Sequence, residues 1–316
     1  LMLTPIPDAP TDSLGQRFSL KSAAGIVYDV TISEPKCPMV ADVPDPPAWL
    51  LYVVDGPLHG GVASSAGRLL SLWLPSARNT QPVTVVSISP RIGSAAEYAD
   101  YLQRGQIRDL VPQGDPAGDA SSAAQVFLDF LHTQVDPAVR QRTPALKQKA
   151  LLFGHGLSGL FACHAFATRH PMFDRYVIAS PTLLDDSPTL KTILQAPKGG
   201  LAGNLYLTIS GEDRLDAATP RHDGAIGRGF HSMAALLGRL HRPGLRAKIE
   251  ILSAESFESI AGTALLNGLR WHLPSSGPEA RRMILRHLRG YLGMALGMIK
   301  MMRQAKRQQK AKGAQA

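Results

Sequence analysis

The stretch Leu151-Leu-Phe-Gly-His-Gly-Leu-Ser-Gly-Leu-Phe-Ala-Cys-His-Ala-Phe166 decides the fold. A short apolar run ends in glycine, a tight Gly-His-Gly turn follows, and small and apolar residues then continue at helical spacing. This pattern predicts a buried strand, a sharp turn with Gly156 at its apex, and a helix from about Gly159 to Thr168. Such a turn projects whatever its apex carries toward the ends of the strands, and here the apex residue has no side chain.

Outward from the turn, strands and helices alternate. QRFSLKSAAGIVYDVTISE, 16 to 34, holds two short alternating runs around Ala-Gly and predicts an opening hairpin. A Pro-rich stretch, 35 to 48, delays the next strand, because proline removes ladder donors. AWLLYVVD, ending at Asp55, and VTVVSIS, 83 to 89, are short, apolar and rich in branched residues, as expected of central parallel strands covered on both faces. DASSAAQVFLDFLHTQV, 120 to 136, carries a helical stripe through Ala124, Phe127, Leu128 and Leu131. DRYVIAS after His170-Pro171, GNLYLTIS at 203 to 210 and AKIEILS at 247 to 253 predict further strands. HSMAALLGRLHRP, 231 to 243, and TALLNGLRWHL predict helices. The alternation implies an α/β class with a mostly parallel, doubly wound sheet covered by helices. Residues 91 to 119 are long, polar and without a strand pattern, as expected of an excursion covering a pocket at the strand ends.

A chain of 316 residues with 44% hydrophobic and 19% charged side chains is composed like an ordinary globular protein. Cys37 and Cys163 are too few for a disulfide scaffold or metal knuckle, and are read as unpaired thiols. His222 and His231 lack a convincing third ligand, so no metal is expected. No Gly-rich phosphate loop is present, so no nucleotide cofactor is expected. No apolar run is long enough to span a bilayer, so the expected location is cytoplasmic or periplasmic, with peripheral membrane attachment through the tail left open.

The formal charge of +9 is confined to one end. From Pro278 onward ten Lys or Arg face Glu279 alone, while residues 1 to 277 carry 24 basic and 24 acidic side chains. We divide the chain into a domain, 1 to 277, and a basic amphipathic helical tail, 278 to 316. Ile284, Leu288, Leu292, Ala295, Ile299 and Met302 recur at helical spacing, and Gly290, Gly293 and Gly297 allow close approach of another helix. The tail is expected to pack back on the domain, to join a homo-oligomer or protein partner, or to lie on an anionic membrane surface. The neutral domain has no recognition motif, which argues against nucleic acid.

Several phrases together resemble the esterase branch of the α/β-hydrolases that includes siderophore esterases, esterase D and the mycolyltransferases. They are LLYVVDG at 50 to 56, Arg108-Asp109 followed by Pro112, GHGLSGLFA at 154 to 162, FDRYVIASP at 173 to 181, YLTISGED at 206 to 213, and AESFESIAGTALLNGLRW at 254 to 271. The likeness covers about residues 16 to 274 and implies an α/β-hydrolase fold. A typical relative reads Gly-His-Ser-x-Gly-Gly at the turn, which puts Gly156 at the nucleophile position and Ser158 two residues further on. Acyl transfer needs an oxygen or sulfur nucleophile there, and glycine supplies neither. Relatives place their histidine in a phrase like Glu-Ser-His-x-Ser, where this chain has Phe257. The resemblance also puts Pro57 and Leu157 at the two oxyanion donors, and proline has no N–H. Glu212, Asp213 or Asp216 stands where the orienting acid is expected.

Three functions follow from these assignments. The first is a hydrolase frame without the Ser-His pair. It binds a small acyl, aromatic or siderophore-like ligand, or a protein, in a crevice walled by Pro57, Leu58, His59, His155, Gly156, Leu157, Phe257 and Glu258. The second is a cofactor-free, non-covalent transformation served by His155, His59 and the remaining acid. The third is a serine esterase using Ser158. Arg108 and Asp109 are either part of that site or a structural pair pinning the 91 to 119 excursion.

Overall fold

The computed structural model describes residues 15–35, 48–71, 80–143, 146–197, 200–213, 225–239, 244–274, 285, 292–293 and 296–304. Asp216, Cys37, His222, Pro278 and most of the basic tail lie outside them. The described residues contain an eight-stranded sheet in the order β1-β2-β4-β3-β5-β6-β7-β8. The hairpin β1 (Gln16–Lys21) and β2 (Val27–Ser33) is antiparallel, and β2 also runs antiparallel to β4 (Val83–Pro90). From β4 onward the neighbours β3 (Ala48–Val53), β5 (Leu146–Gly156), β6 (Phe173–Pro181), β7 (Gly203–Ser210) and β8 (Leu245–Leu252) are parallel. This is the mostly parallel, doubly wound sheet that the alternating pattern predicts.

Successive side chains of a strand point to opposite faces, so an apolar run on a central strand feeds two cores at once. On β3, Trp49, Leu51 and Val53 face one layer, with Val83 and Val85 of β4. That layer is covered by α1 (Gly56–Ser71) through Ala63, Ala66 and Leu70, and by α9 (Ile260–His272) through Leu265 and Leu269. Leu50 and Tyr52 face the other layer with Val86 and Ile88. There the cover is α4 (Ala124–Phe130), α6 (Leu157–Ala167), α7 (Pro188–Gln195) and α8 (Ala225–Arg239). Between β4 and α4, residues 95–110 of the 91 to 119 excursion are helical: α2 (Ala95–Asp100), a π turn at Tyr101–Gly105, and α3 (Gln106–Leu110). A second π turn, Leu131–Val135, joins α4 to α5 (Asp136–Arg142).

The predicted elements are found, with shifted boundaries. Helix α6 starts at Leu157, two residues before the expected position, because the helix opens directly from the apex. Helix α8 starts at Ala225, six residues before the expected start. Helices α1, α2, α3, α5 and α7 are additions; α1 is glycine- and serine-rich, which masks its apolar stripe. No helix among the described residues is long and apolar enough to cross a membrane. In the tail, residues 296–304 are helical, and Leu292, Leu296, Met298, Met301 and Met302 are exposed.

Candidate functional site

The β5-to-α6 junction is built on close backbone approach. A Cβ on Gly154 would stand 2.0 Å from the Ser158 carbonyl oxygen, so only glycine fits there. Gly156 has φ +60° and ψ −121°, a conformation that glycine adopts without penalty and that costs an L-residue strain. The turn is closed by Ser158: its hydroxyl accepts from the His155 amide and donates to the His155 carbonyl, both at 2.9 Å. Ser158 is 1% exposed, so its oxygen is committed inside the turn and directed away from any substrate. The sequence places it only two residues from the apex, and the helical turn carries it to the buried side.

Phe257, from the loop after β8, covers the apex. Its Cζ lies 3.1 Å from the position a Cβ on Gly156 would take, and Thr182 Oγ1 lies 3.9 Å from the same point. The phenyl ring packs on His155 with centroids 4.4 Å apart, and His155 meets His59 edge-on at 5.2 Å. His59 in turn meets Phe153 edge-on at 5.6 Å. His59, His155, Gly156 and Phe257 lie beside one another, and Leu157 opens α6, where first-turn amides have no intrahelical acceptor.

Burial, and secondarily the neighbouring His155, lowers His59 to about 4, so this imidazole is neutral near pH 7. Its Nε2 is buried and has no hydrogen-bond partner among the described residues. Pro57 is the second residue of α1, where the missing N–H is harmless. The amides of Leu58 and His59 both donate to the Asp55 carbonyl, at 3.2 and 3.0 Å. Leu58 and Glu258 are exposed.

The acidic candidates serve the loops. Glu212 Oε2 accepts from the Phe257 amide at 3.2 Å, tying the loop after β7 to the loop after β8. Asp213 is buried, accepts from the Ser210 hydroxyl at 2.7 Å and has its own amide held by the same oxygen. Arg108 and Asp109 form a bidentate pair at 2.7 and 2.8 Å, with Asp109 buried.

Two polar features were not legible in the sequence. Asp55, at the end of β3, is buried and accepts from Tyr101 Oη at 2.8 Å and Gln106 Nε2 at 2.7 Å. Burial raises its carboxyl to about 6, partly offset by those two donors. The other is the return of β6: Ser180 has φ +34° and Thr182 donates its amide to the Gly156 carbonyl at 2.9 Å. Only the Asp-Gly ending of the LLYVVDG phrase hinted at the first, and nothing in the sequence marks the second. No group of three or more candidate metal ligands occurs among the described residues.

No family model matches the chain. A siderophore triacetylfusarinine C esterase of Aspergillus fumigatus is 30% identical over 181 residues, 57% of this chain and 58% of that relative. The match thus spans less than two thirds of that protein's length. The ferri-bacillibactin esterase of Bacillus subtilis is 24% identical over 263 residues, covering 80% of this chain and 86% of the relative. Among solved structures, the siderophore hydrolase EstB of Aspergillus nidulans superimposes with a TM-score of 0.67 at 23% identity, covering 88% of this chain and 99% of the other. The sheet and its helical layers are those of an α/β-hydrolase, and the sequence similarities point to the siderophore-esterase branch of that superfamily.

Proposed function

We propose that this chain is an α/β-hydrolase-fold protein lacking the Ser-His pair, which binds a siderophore-like ligand with acyl or aromatic arms and does not cleave it by acyl transfer. The carrying observation is the contact between Phe257 and the Gly156 apex. A ring stands 3.1 Å from where a side chain at the apex would begin, and it packs on His155. A phenyl ring accepts no proton and glycine offers no nucleophile, so the two positions that attack and deprotonation require are both inert. The amides of residues 58 and 59 are held by the Asp55 carbonyl, so a shift of one or two positions from Pro57 supplies no oxyanion donor. The ligand class comes from the relatives, which are named for esterases of triacetylfusarinine C, ferri-bacillibactin and enterobactin.

The test titrates full-length protein with the ferric forms of these three siderophores, following tryptophan fluorescence for binding and mass spectrometry for ester cleavage. Saturable binding with intact ester, and no serine labelled by diisopropyl fluorophosphate, is expected. Hydrolysis accompanied by a labelled serine overturns the proposal, and absence of binding to all three removes the ligand class and leaves the protein-partner reading.

One observation favours the second reading, a non-covalent transformation. His59 is neutral and half-buried, with its Nε2 buried and its ring next to His155, as suits a proton acceptor. Turnover of a bound ligand without serine labelling, lost in His59→Gln, would favour it over pure binding.

A further inference from the structure

The large apolar side chains that reach the surface are gathered in the tail. Of the fourteen that are exposed among the described residues, seven lie within the twelve described residues from 285 onward. Leu296, Met298, Ile299, Met301 and Met302 are 41 to 69% exposed on one helical segment, 296–304. A contiguous apolar surface of this kind marks contact with something equally apolar.

These residues are not spread evenly around the helix. At about 100° per residue the five cover an arc of about 220°, and Gly297, Lys300 and Gln304 fill the remaining sector. Arg303 falls near one edge of the apolar arc, where its long stem lies along apolar surface while the guanidinium reaches water. A wide apolar face with a narrow polar one suits a helix lying along an apolar boundary.

Charge is an independent feature of the same segment. Lys300, Arg303, Lys306, Arg307, Lys310 and Lys312 follow Ile299, and no acid occurs after Glu279. The apolar surface is thus joined to a basic run that nothing in the tail neutralises. A nucleic acid would satisfy the charge and leave the methionines in water. A second copy of the chain would cover the methionines and set two uncompensated basic runs side by side. An anionic bilayer takes both, with the apolar side chains below its headgroups and the basic ones among them.

We infer that the tail is a membrane-docking element, which lays the 296–304 helix into the surface of an anionic lipid bilayer. Methionine suits that role, because its unbranched, polarizable side chain adapts to an irregular surface. Each Lys or Arg held near the lipid headgroups adds roughly fivefold in affinity, so the apolar face and the basic run act together. The Gly156 crevice takes no part in this contact, and the inference stands apart from the function proposed above.

The experiment uses full-length protein and co-sedimentation with vesicles of pure phosphatidylcholine, or of phosphatidylcholine with roughly 30% phosphatidylserine. Saturable binding to the anionic vesicles is expected, at least tenfold weaker on the neutral ones. It should also weaken at least tenfold in about 1 M salt, where the Debye length shrinks to about 3 Å. The double variant Met298→Ser with Met302→Ser, at exposed positions, should lose at least tenfold, and Lys300→Gln with Arg303→Gln should lose a similar factor. Both should keep the parent's melting temperature and its response to siderophores. No binding to either vesicle, equal binding to the two, or full binding by the methionine variant overturns the inference. A concentration-dependent dimer that the methionine variant abolishes, without vesicle binding by the parent, assigns the face to a second copy and overturns it as well.

Discussion

Phe257 and Gly156 share one small volume: the ring's Cζ stands 3.1 Å from the place where a Cβ at 156 would be. Substitutions at the two positions are therefore coupled. Gly156→Ser meets two costs, the strained backbone at φ +60° and the ring above it, and is expected to destabilise by about 1–3 kcal/mol. Phe257→Ala relieves only the second. A double-mutant cycle from urea unfolding should show a coupling of about 0.5–1 kcal/mol between them. Strict additivity would show that the ring does not crowd the apex.

Ser158→Ala should cost about 1–2 kcal/mol, because it leaves the buried His155 amide without its side-chain acceptor. Ligand affinity should not change, since the hydroxyl faces the turn interior. A loss of ligand binding with unchanged stability would contradict this placement.

Glu212 holds the Phe257 loop by a single hydrogen bond to its amide. Glu212→Ala should raise hydrogen exchange at the Phe257 amide a few-fold, from a bond worth roughly 0.5–1.5 kcal/mol, and Glu212→Gln should restore most of the protection. Equal exchange in all three proteins would mean that this bond does not hold the loop.

Acid should destabilise the fold through its histidines. Burial keeps His59 near 4 and His272 near 3, while in the unfolded chain both titrate near about 6.5. The unfolded state then binds more protons, so stability is complete above about pH 6.5 and falls as the pH drops through the window toward 4. Asp55 acts in the opposite sense. Its folded carboxyl is raised from 3.8 to about 6, so its contribution is complete below about pH 4 and is lost as pH rises through 6. Thermal melts between pH 7 and 4.5 should show a falling Tm, flattened in His272→Gln and steepened in Asp55→Asn. A Tm profile of Asp55→Asn identical to that of the parent would sink the Asp55 assignment.

Arg108→Ala leaves the buried Asp109 carboxylate facing no guanidinium. Allowing for the partial exposure of Arg108, the expected loss is about 2 kcal/mol. Arg108→Lys should recover less than half, because an ammonium cannot make the forked pair. Unfolding midpoints of the three proteins decide it, and full rescue by lysine would show that charge alone matters.

The architecture was legible because its signals are local. The run of β3 is apolar at every position, and β4 and β5 carry apolar centres at residues 85–86 and 150–153, as parallel strands buried on both faces require. The Gly-His-Gly turn announced itself through glycine spacing, and the structure supplies the reason at Gly154, where a Cβ would strike the Ser158 carbonyl. Helix α1 was less legible, since its glycines and serines blur the stripe formed by Ala63, Ala66 and Leu70.

Sequence alone thus determined the alternation of strands and helices and the absence of a side chain at residue 156, because strand periodicity and residue identity are local properties. It also set Phe257 beside the site by analogy of position. Only the tertiary structure decided that the ring rests on His155 and crowds Gly156, that Ser158 points inward, and that Asp55 is joined to Tyr101 and Gln106. The Phe257 and Asp55 contacts join segments 46 to more than 100 residues apart, and the angle at which helices and loops leave the sheet fixes them. No local pattern encodes that angle, because it is set by how the two side-chain layers pack against the sheet.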